Sequence, residues 1–443
     1  MYKLFIVWFM SGILLPLMAS ESVLELPDFI HHVSKNDSGF HLLLMDQYRL
    51  NYDYDRFVAS PDFYMSVVGG LLLDSSNIQQ DSSINLAYVL PNLGQEYSTN
   101  FAFDGNNNNA SSFRFSISQD IARNAFGKKN VLDGLVQNVK TTLSKYQIIE
   151  AYEDYMAELI TLYYSWIRDY VSFQLAQSSY KENEKVLGSI LKRQKNKIAD
   201  TTDVNKFKLQ LLAKEEQLIV FKKKYTETTR KIIEVIGIDS DEKMIPNSDI
   251  IIDLLPKNSD SEITALKDNR SFKILELLNQ QGGLEQDLAA RDILPSIILS
   301  TSLVKSSDYS GEIKASIDMP FFNKKEKANF EIARINQKQV LLETESMSDD
   351  LKMSIYLLYS SLQTQKQLVD LAREKRELAE AILHDESENY TFGKINLNDY
   401  IQAVNRYDST RFDEIDQKIT YQQLSIEWKR LTDTLVHDDE ASL

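Results

Sequence analysis

The stretch NYTFGKINLNDYIQAVNRYDSTRFD, residues 389–413, combines a break in helical pattern with the start of a new one. Gly393 is followed by the segment KIN, which ends in the polar Asn396, and then Leu397, Ile401 and Val404 fall four and three residues apart. A glycine and a polar residue ahead of such a spacing are typical of a turn that leads into a helix. The sequence therefore predicts a tight turn between two helices here.

The same layout occurs in the first half of the chain, in IADTTDVNKFKLQLLAKEEQL at residues 198–218, with Ala199 in the place of the glycine. Steps of three and four residues from Val204 to Val235 meet an apolar residue at eight of ten positions. A heptad spacing kept for so long is typical of coiled-coil helices. Both turns are therefore predicted to join long helices, and an unbroken helix over 128–196 would measure about 100 Å.

The order of predicted elements recurs along the chain, with Pro61 and Pro295 each standing where a helix gives way to strands. The first set is a helix at 38–59, strands within 61–119 and helices over 128–237; the second is a helix at 261–292, strands at 295–321 and helices over 324–436. This recurrence predicts an internal duplication with repeats at 21–250 and 251–443, each containing a helix, two strands and a long helical hairpin.

The predicted strands alternate between apolar and polar residues. In one of them Ile313, Ala315 and Ile317 alternate with Lys314, Ser316 and Asp318. Outer-membrane barrels show this pattern, with apolar residues toward lipid and polar residues toward the lumen, but a half-buried soluble sheet shows it too. In a barrel, Lys314, Ser316 and Asp318 would line the lumen.

The number of predicted strands bears on assembly. Two strands per repeat give four per chain, whereas single-chain barrels begin at about eight strands and an open edge in lipid is unfavourable. The sequence therefore predicts that copies of the chain pool their strands, and three copies would give twelve.

Composition and the N-terminus restrict location and chemistry. Residues 1–20, MYKLFIVWFMSGILLPLMAS, have the Lys3, apolar run and small terminal residues of a signal peptide. The net charge of −16 disfavours binding to nucleic acid. The chain has no cysteine, and its five histidines form no H-x-x-x-H pair. No catalytic constellation, cofactor or metal site is predicted, so we expect a non-enzyme.

Taken together, the signal, the duplicated order, SIDMPFFNKKEKANFEIA at 316–333 and the Y-x-x-G turn of residue 390 onward resemble the outer-membrane efflux proteins, the TolC-like family. The resemblance covers roughly residues 38–436. It implies a mainly α fold with transmembrane β: a homotrimer with a twelve-stranded outer-membrane β-barrel, in contact with lipid and continued by an α-helical coiled-coil tunnel in the periplasm. It also implies partners, namely a periplasmic adaptor and an inner-membrane pump or ABC transporter of an efflux or type I secretion system.

The resemblance further implies particular sites. The turns at Ala199 and Gly393 would be the periplasmic tips, and Asp399 would form a carboxylate ring at the pore constriction. Family members have a second aspartate three residues after the first, and in this chain that position is Gln402. The resemblance also implies that Tyr390 helps to hold the closed state. Two other functions stay open on the residues alone: a periplasmic adaptor, whose compact Gly-rich domains are missing here, and a structural coiled-coil protein without a barrel.

Overall fold

The structure is a computed structural model that describes residues 22–57, 61–73, 78–104, 111–197, 199–237, 244–256, 269–306, 308–319 and 323–436. The predicted signal peptide at 1–20 lies outside these residues. The chain divides into two compact units, one formed by residues 1–40, 156–255 and 360–427, and the other by residues 41–155, 256–359 and 428–443.

Long helices make up most of the described chain. They are α1 (Leu26–Asn36), α2 (Ser38–Phe57), α3 (Lys128–Lys195), α4 (Thr201–Ile236), α5 (Arg270–Asp292), α6 (Lys324–Thr391) and α7 (Leu397–Leu431). Helices α3 and α6 each have 68 residues, and the helices that follow them have 36 and 35. None of the helices in the described ranges contains an 18-residue stretch apolar enough to cross a membrane.

The heptad seam predicted on α4 is confirmed in the first unit. Val204, Phe207 and Ile232 are buried, and the intervening positions of the seam are at least half-buried. Phe207 also belongs to a cluster with Ile190 of α3 and Leu397 of α7. Burial of side chains this size stabilises a fold by about 1.5–3 kcal/mol each, so this face fixes α4 against its neighbours.

The second unit contains one antiparallel sheet of six strands, which lie side by side in the order of the chain. Its strands are β2 (Asp62–Leu73), β3 (Ile78–Leu90), β4 (Gln95–Asp104), β5 (Ser111–Asp120), β7 (Ser296–Lys305) and β8 (Tyr309–Asp318). In the first unit, β1 (Ser22–Leu24) pairs with β6 (Met244–Pro246) in parallel. As predicted, Pro61 and Pro295 stand directly before β2 and β7.

The number of sheet strands corrects the prediction of two strands in each repeat and four in the chain. The first half contributes four strands, because β3 and β4 form a hairpin between β2 and β5. The short residues Ser82, Ser83, Ser98 and Asn100 and the Pro91–Gly94 turn resemble a loop in sequence. Hydrogen bonds to the neighbouring strands on both sides hold the serine and asparagine residues in extended structure. The number of strands in one chain therefore does not support the predicted count of twelve strands for three copies.

Candidate functional site

The turn between α6 and α7 is built around Gly393. Its φ of 71° is left-handed, a conformation that favours glycine, and its N–H donates to the Tyr390 carbonyl at 3.1 Å. Lys394 N–H donates to the Asn389 carbonyl at 2.8 Å. Asn396 then caps α7, because its Oδ1 accepts the Asp399 N–H at 3.0 Å. The break in helical pattern after Tyr390 is therefore the end of α6 followed directly by the capped start of α7.

The turn between α3 and α4 also contains a residue with a left-handed backbone, but this residue is not glycine. Here Lys197 takes the left-handed conformation, with φ 58°, and its N–H donates to the Gln194 carbonyl at 2.9 Å. Ala199 is half-buried and packs against the cluster that includes Val204. The residue with the left-handed backbone is thus two positions before Ala199, and position 199 itself does not require glycine.

Tyr390 lies beneath the turn between α6 and α7, in a stack with another aromatic ring. Its ring stacks on Tyr400 with a centroid distance of 5.2 Å, and the Arg193 guanidinium lies 4.7 Å from its centroid. Arg193 Nη1 also donates to the Tyr390 carbonyl at 3.0 Å. Burial raises the pKa of both tyrosines, so their hydroxyls stay neutral at physiological pH. The contacts tie α3 to the end of α6, beside a cavity of about 600 Å³.

The other two predicted constriction residues lie elsewhere. Asp399 and Gln402 are three residues apart on α7, and both side chains are exposed. Residues at this spacing share a helix face. The structure therefore brings Asp399 and Gln402 together on an exposed face and places Tyr390 in the packing beneath the turn.

A buried ion pair, which the sequence did not indicate, joins α4 to α7. Lys214 Nζ lies 2.6 Å from Asp408 Oδ2, and both side chains are 7% exposed. Ser179 Oγ donates to the same oxygen at 2.5 Å, which brings α3 into the network. Arg411 Nη1 lies 3.8 Å from the other oxygen, Asp408 Oδ1. A carboxylate shared by three helices fixes their register.

Removing the lysine should therefore destabilise this unit. We expect Lys214→Met to lower the free energy of unfolding by about 3 kcal/mol, because the Asp408 carboxylate is left buried with only Ser179 and a more distant Arg411. Thermal unfolding followed by circular dichroism would measure it, with Lys222→Met on the exposed side of α4 as the control. The double variant Lys214→Met/Asp408→Leu should recover most of the loss. Equal stability of the wild type and Lys214→Met would show that the pair carries no net energy.

Two apolar stripes in the first unit are exposed, with no cover among the residues that the structure describes. One follows α4 at Leu209, Leu212 and Ile219; the other follows α6 at Leu368, Leu371, Leu378 and Ile382. These seven side chains are between 41% and 70% exposed. The members of each stripe fall three, four or seven residues apart, which are coiled-coil spacings, and Glu216 and Lys375 occupy the intervening positions. Each stripe lies beside the buried seam of the same helix. Exposed stripes of this kind mark interaction surfaces.

One face of the sheet is mainly apolar and the other is mainly polar. Because paired residues point to the same side, the register places apolar side chains of all six strands together. They are Phe63, Met65 and Val67; Ile84, Leu86 and Tyr88; Tyr97, Phe101 and Phe103; Phe113, Phe115 and Ile117; Ile297, Leu299 and Leu303; Ile313 and Ile317. The opposite face carries Lys314, Ser316 and Asp318 and an ion pair between Arg114 Nη1 and Glu312 Oε2 at 3.4 Å.

A buried charge cluster in the second unit was also missed by the sequence analysis. Arg270, at the start of α5, contacts the carboxylates of Glu153, Glu150 and Asp433. Glu153 Oε1 also accepts the N–H groups of Leu435 and Val436 at 3.2 and 3.3 Å, which attaches the segment after α7 to α3. Burial raises the pKa of Glu150, and it raises that of Glu153 to about 7.

The same cluster is the one place among the described residues where carboxylates converge closely enough to suit a metal ion. Oxygens of Glu150, Glu153 and Asp433 lie within 4.8 Å of one another. The Arg270 guanidinium touches all three carboxylates and supplies the positive charge that a cation would bring. The arrangement fits a structural clamp, and it has no exposed nucleophile or open coordination position.

Comparisons with known proteins identify the fold. The outer membrane protein VceC from Vibrio cholerae aligns with a TM-score of 0.72 and 11% identity, over 92% of this chain and 95% of its own. The Campylobacter jejuni CmeC outer membrane channel aligns with a TM-score of 0.70 and 13% identity, over 94% of this chain and 87% of its own. The open-state Neisseria gonorrhoeae MtrE outer membrane channel aligns with a TM-score of 0.69 and 14% identity, over 92% of this chain and 88% of its own. No family model and no curated protein sequence matches the chain.

The chain therefore has the fold of these outer-membrane channel proteins. The resemblance that the sequence analysis noted is confirmed at the level of the fold, across both the helical hairpins and the sheet. At 11–14% identity, pairwise sequence comparison carries little of this signal. The order of elements, which the residues do encode, carries most of it.

Proposed function

We propose that the protein is an outer-membrane exit channel of a tripartite efflux pump or type I secretion system, passing small molecules or unfolded proteins from the periplasm to the exterior of a Gram-negative bacterium. The observation that carries this proposal is the sheet, whose mainly apolar face contains residues from all six strands while its other face holds most of the charged and small polar side chains. A water-filled pore through lipid needs these two faces. In this role Lys314, Ser316 and Asp318 line the barrel lumen.

The proposed assembly is a homotrimer. An open sheet edge is unfavourable in lipid, so the six strands of one chain require partners. The exposed stripes on α4 and α6 supply matching helical contacts if α4 of one copy packs on α6 of the next. The equal lengths of the two long helices and the near-equal lengths of the two shorter ones support the proposed duplication into 21–250 and 251–443.

The proposed partners at the helical end are a periplasmic adaptor and, through it, an inner-membrane pump or ABC transporter. The turns at Ala199 and Gly393 are the proposed docking points, because turn backbone offers polar groups that a helix side does not. Cross-linking of the adaptor to residues beside these turns tests the assignment. Bulky substitutions at Ala199 and Gly393 that leave both cross-linking and efflux unchanged would contradict it.

Membrane fractionation and particle mass test the proposal against its alternatives. We expect the protein in the outer-membrane fraction and a single species with the mass of three chains by light scattering in detergent. A soluble periplasmic protein would favour an adaptor or a structural coiled-coil protein without a barrel. A folded monomer in detergent would contradict the trimer.

Asp399 gives a prediction for the narrow end of the pore. Its exposed carboxylate lies two residues inside α7, and threefold symmetry would place three carboxylates at one height. We expect trivalent cations added from the periplasmic side to block ion current in planar bilayers, and Asp399→Asn to weaken that block at least tenfold. The exposed Asp385 of α6 provides the matched control, Asp385→Asn. An unchanged block in an intact Asp399→Asn trimer would leave the residue as a helix-start aspartate only.

A further inference from the structure

The β3–β4 hairpin has the composition of a membrane wall. Ile84, Leu86 and Tyr88 of β3 pair with Phe101, Thr99 and Tyr97 of β4 on the apolar face. Asn85 and Asn100 pair on the other face, beside Ser83 and Ala102. Both faces of the hairpin therefore continue those of β2 and β5. A hairpin that projected from the wall into water would have no reason to keep the apolar row.

The turn of this hairpin is built into the end of the sheet. Gly94 and Gly127 both have left-handed backbones, with φ 62° and 74°, and approach each other so closely that a Cβ on Gly94 would lie 2.8 Å from Gly127 N. Asn130 Nδ2, at the start of α3, donates to the Pro91 carbonyl at 2.8 Å. Gln119 Nε2 of β5 donates to the Leu93 carbonyl at 2.9 Å. The turn is thus fixed to both β5 and α3.

The outer strands of the sheet are compatible with closure around three copies. All five pairings are antiparallel, so β2 and β8 at the two edges run in opposite directions. The β8 edge of one copy can therefore pair in antiparallel fashion with the β2 edge of the next. The two edge strands have 12 and 10 residues, which gives a nearly full-length ladder.

We infer that each chain contributes six strands to the wall, so that the trimer, on which this inference rests, closes an eighteen-stranded barrel. Each edge strand of the sheet pairs with an edge strand of a second copy of this chain. At a strand spacing of about 4.8 Å and a tilt of about 40°, the backbone diameter is about 36 Å, against about 24 Å for twelve strands. The backbone of the outer-membrane end is then about 1.5-fold wider than that of a twelve-stranded barrel.

Single-cysteine labelling tests whether the hairpin lies in the wall, and the chain has no native cysteine to interfere. Spin labels at Leu86→Cys and Asn85→Cys of β3 are compared with labels at Ile313→Cys and Lys314→Cys of β8, in liposomes of phosphatidylethanolamine and phosphatidylglycerol. We expect Leu86 to match Ile313 in accessibility to oxygen dissolved in lipid. Asn85 should match Lys314 in accessibility to a water-soluble nickel chelate.

The outcomes separate this inference from the proposed function. If both β3 labels report water while Ile313 reports lipid, the hairpin lies outside the wall and the inference is wrong, although the channel stands. If Ile313 also reports water, the membrane role itself fails. Electron cryomicroscopy of the trimer gives the second measurement: a barrel diameter near 36 Å supports eighteen strands, and one near 24 Å overturns them.

Discussion

Leu371→Asp should abolish the proposed trimer. Leu371 is 50% exposed at the centre of the α6 stripe, so the single chain tolerates an aspartate there. In the assembly, each copy would lose the burial of a leucine, about 1.5–3 kcal/mol, and gain a desolvated carboxylate. Three equivalent sites multiply the cost to at least about 5 kcal/mol, or more than a thousandfold in the association constant.

Light scattering in detergent measures this effect directly. The control is Ala381→Asp, which places the same residue at an exposed position on α6 away from both the buried and the exposed stripe. We expect a trimer for the control and a monomer for Leu371→Asp, with equal helical content by circular dichroism. A stable Leu371→Asp trimer would show that the α6 stripe is not the contact between copies.

Arg270→Met should cost the second unit more stability than any other single substitution considered. Glu150, Glu153 and Asp433 would be left together without their shared cation, and breaking a buried charge network in this way costs about 3–5 kcal/mol. The denaturant midpoint of the helical signal measures the loss. Arg430→Met, which removes a more exposed partner of Asp154, should cost less than about 1 kcal/mol.

The pH dependence of the cluster has a definite sign. Burial raises the pKa of Glu153 from 4.5 to about 7, so the folded state binds a proton more tightly than the unfolded state does. Its contribution to stability is therefore complete below about pH 4.5 and is lost as the pH rises through about 7. The penalty of Arg270→Met should accordingly be smaller at pH 5 than at pH 8, and Glu153→Gln in the same chain should restore part of the stability at pH 8. A penalty independent of pH would contradict this account of the cluster.

The features that the sequence did predict are those with a local periodic signal. The heptad spacing from Val204, the break at Gly393 and the alternation around Lys314 each depend on near neighbours in the chain. Steric preferences and hydrophobic periodicity act over a few residues, so these patterns can be read without the fold.

The features that could not be predicted from the sequence are the buried charged contacts and the β3–β4 hairpin. They depend on partners far away in the chain or on small polar residues. Arg270 bonds to residues 117 and 163 positions away, and Lys214 finds Asp408 at a separation of 194. Nothing in the local sequence marks these positions as paired. The β3–β4 hairpin was missed for a different reason, because its polar face uses serine and asparagine, which are also the residues of loops. Its apolar row becomes evident only when the register aligns Leu86 with Thr99 and Phe101 with Phe113.

The proposed water-filled pore, formed by copies of this chain together, is tested most directly by single-channel recording. Purified trimer, freed of monomer by size exclusion, is added to one side of a planar lipid bilayer in potassium chloride. We predict uniform current steps that scale with the number of insertions and depend on salt concentration as an aqueous pore does. The Arg193→Ala/Tyr390→Ala variant lacks the contact of the Arg193 guanidinium with the Tyr390 ring at 4.7 Å. It is recorded in parallel and should conduct more than the wild type, because that contact ties α3 to the end of α6 beneath the turn. Membrane-inserted trimers of both proteins that carry no current would contradict the channel.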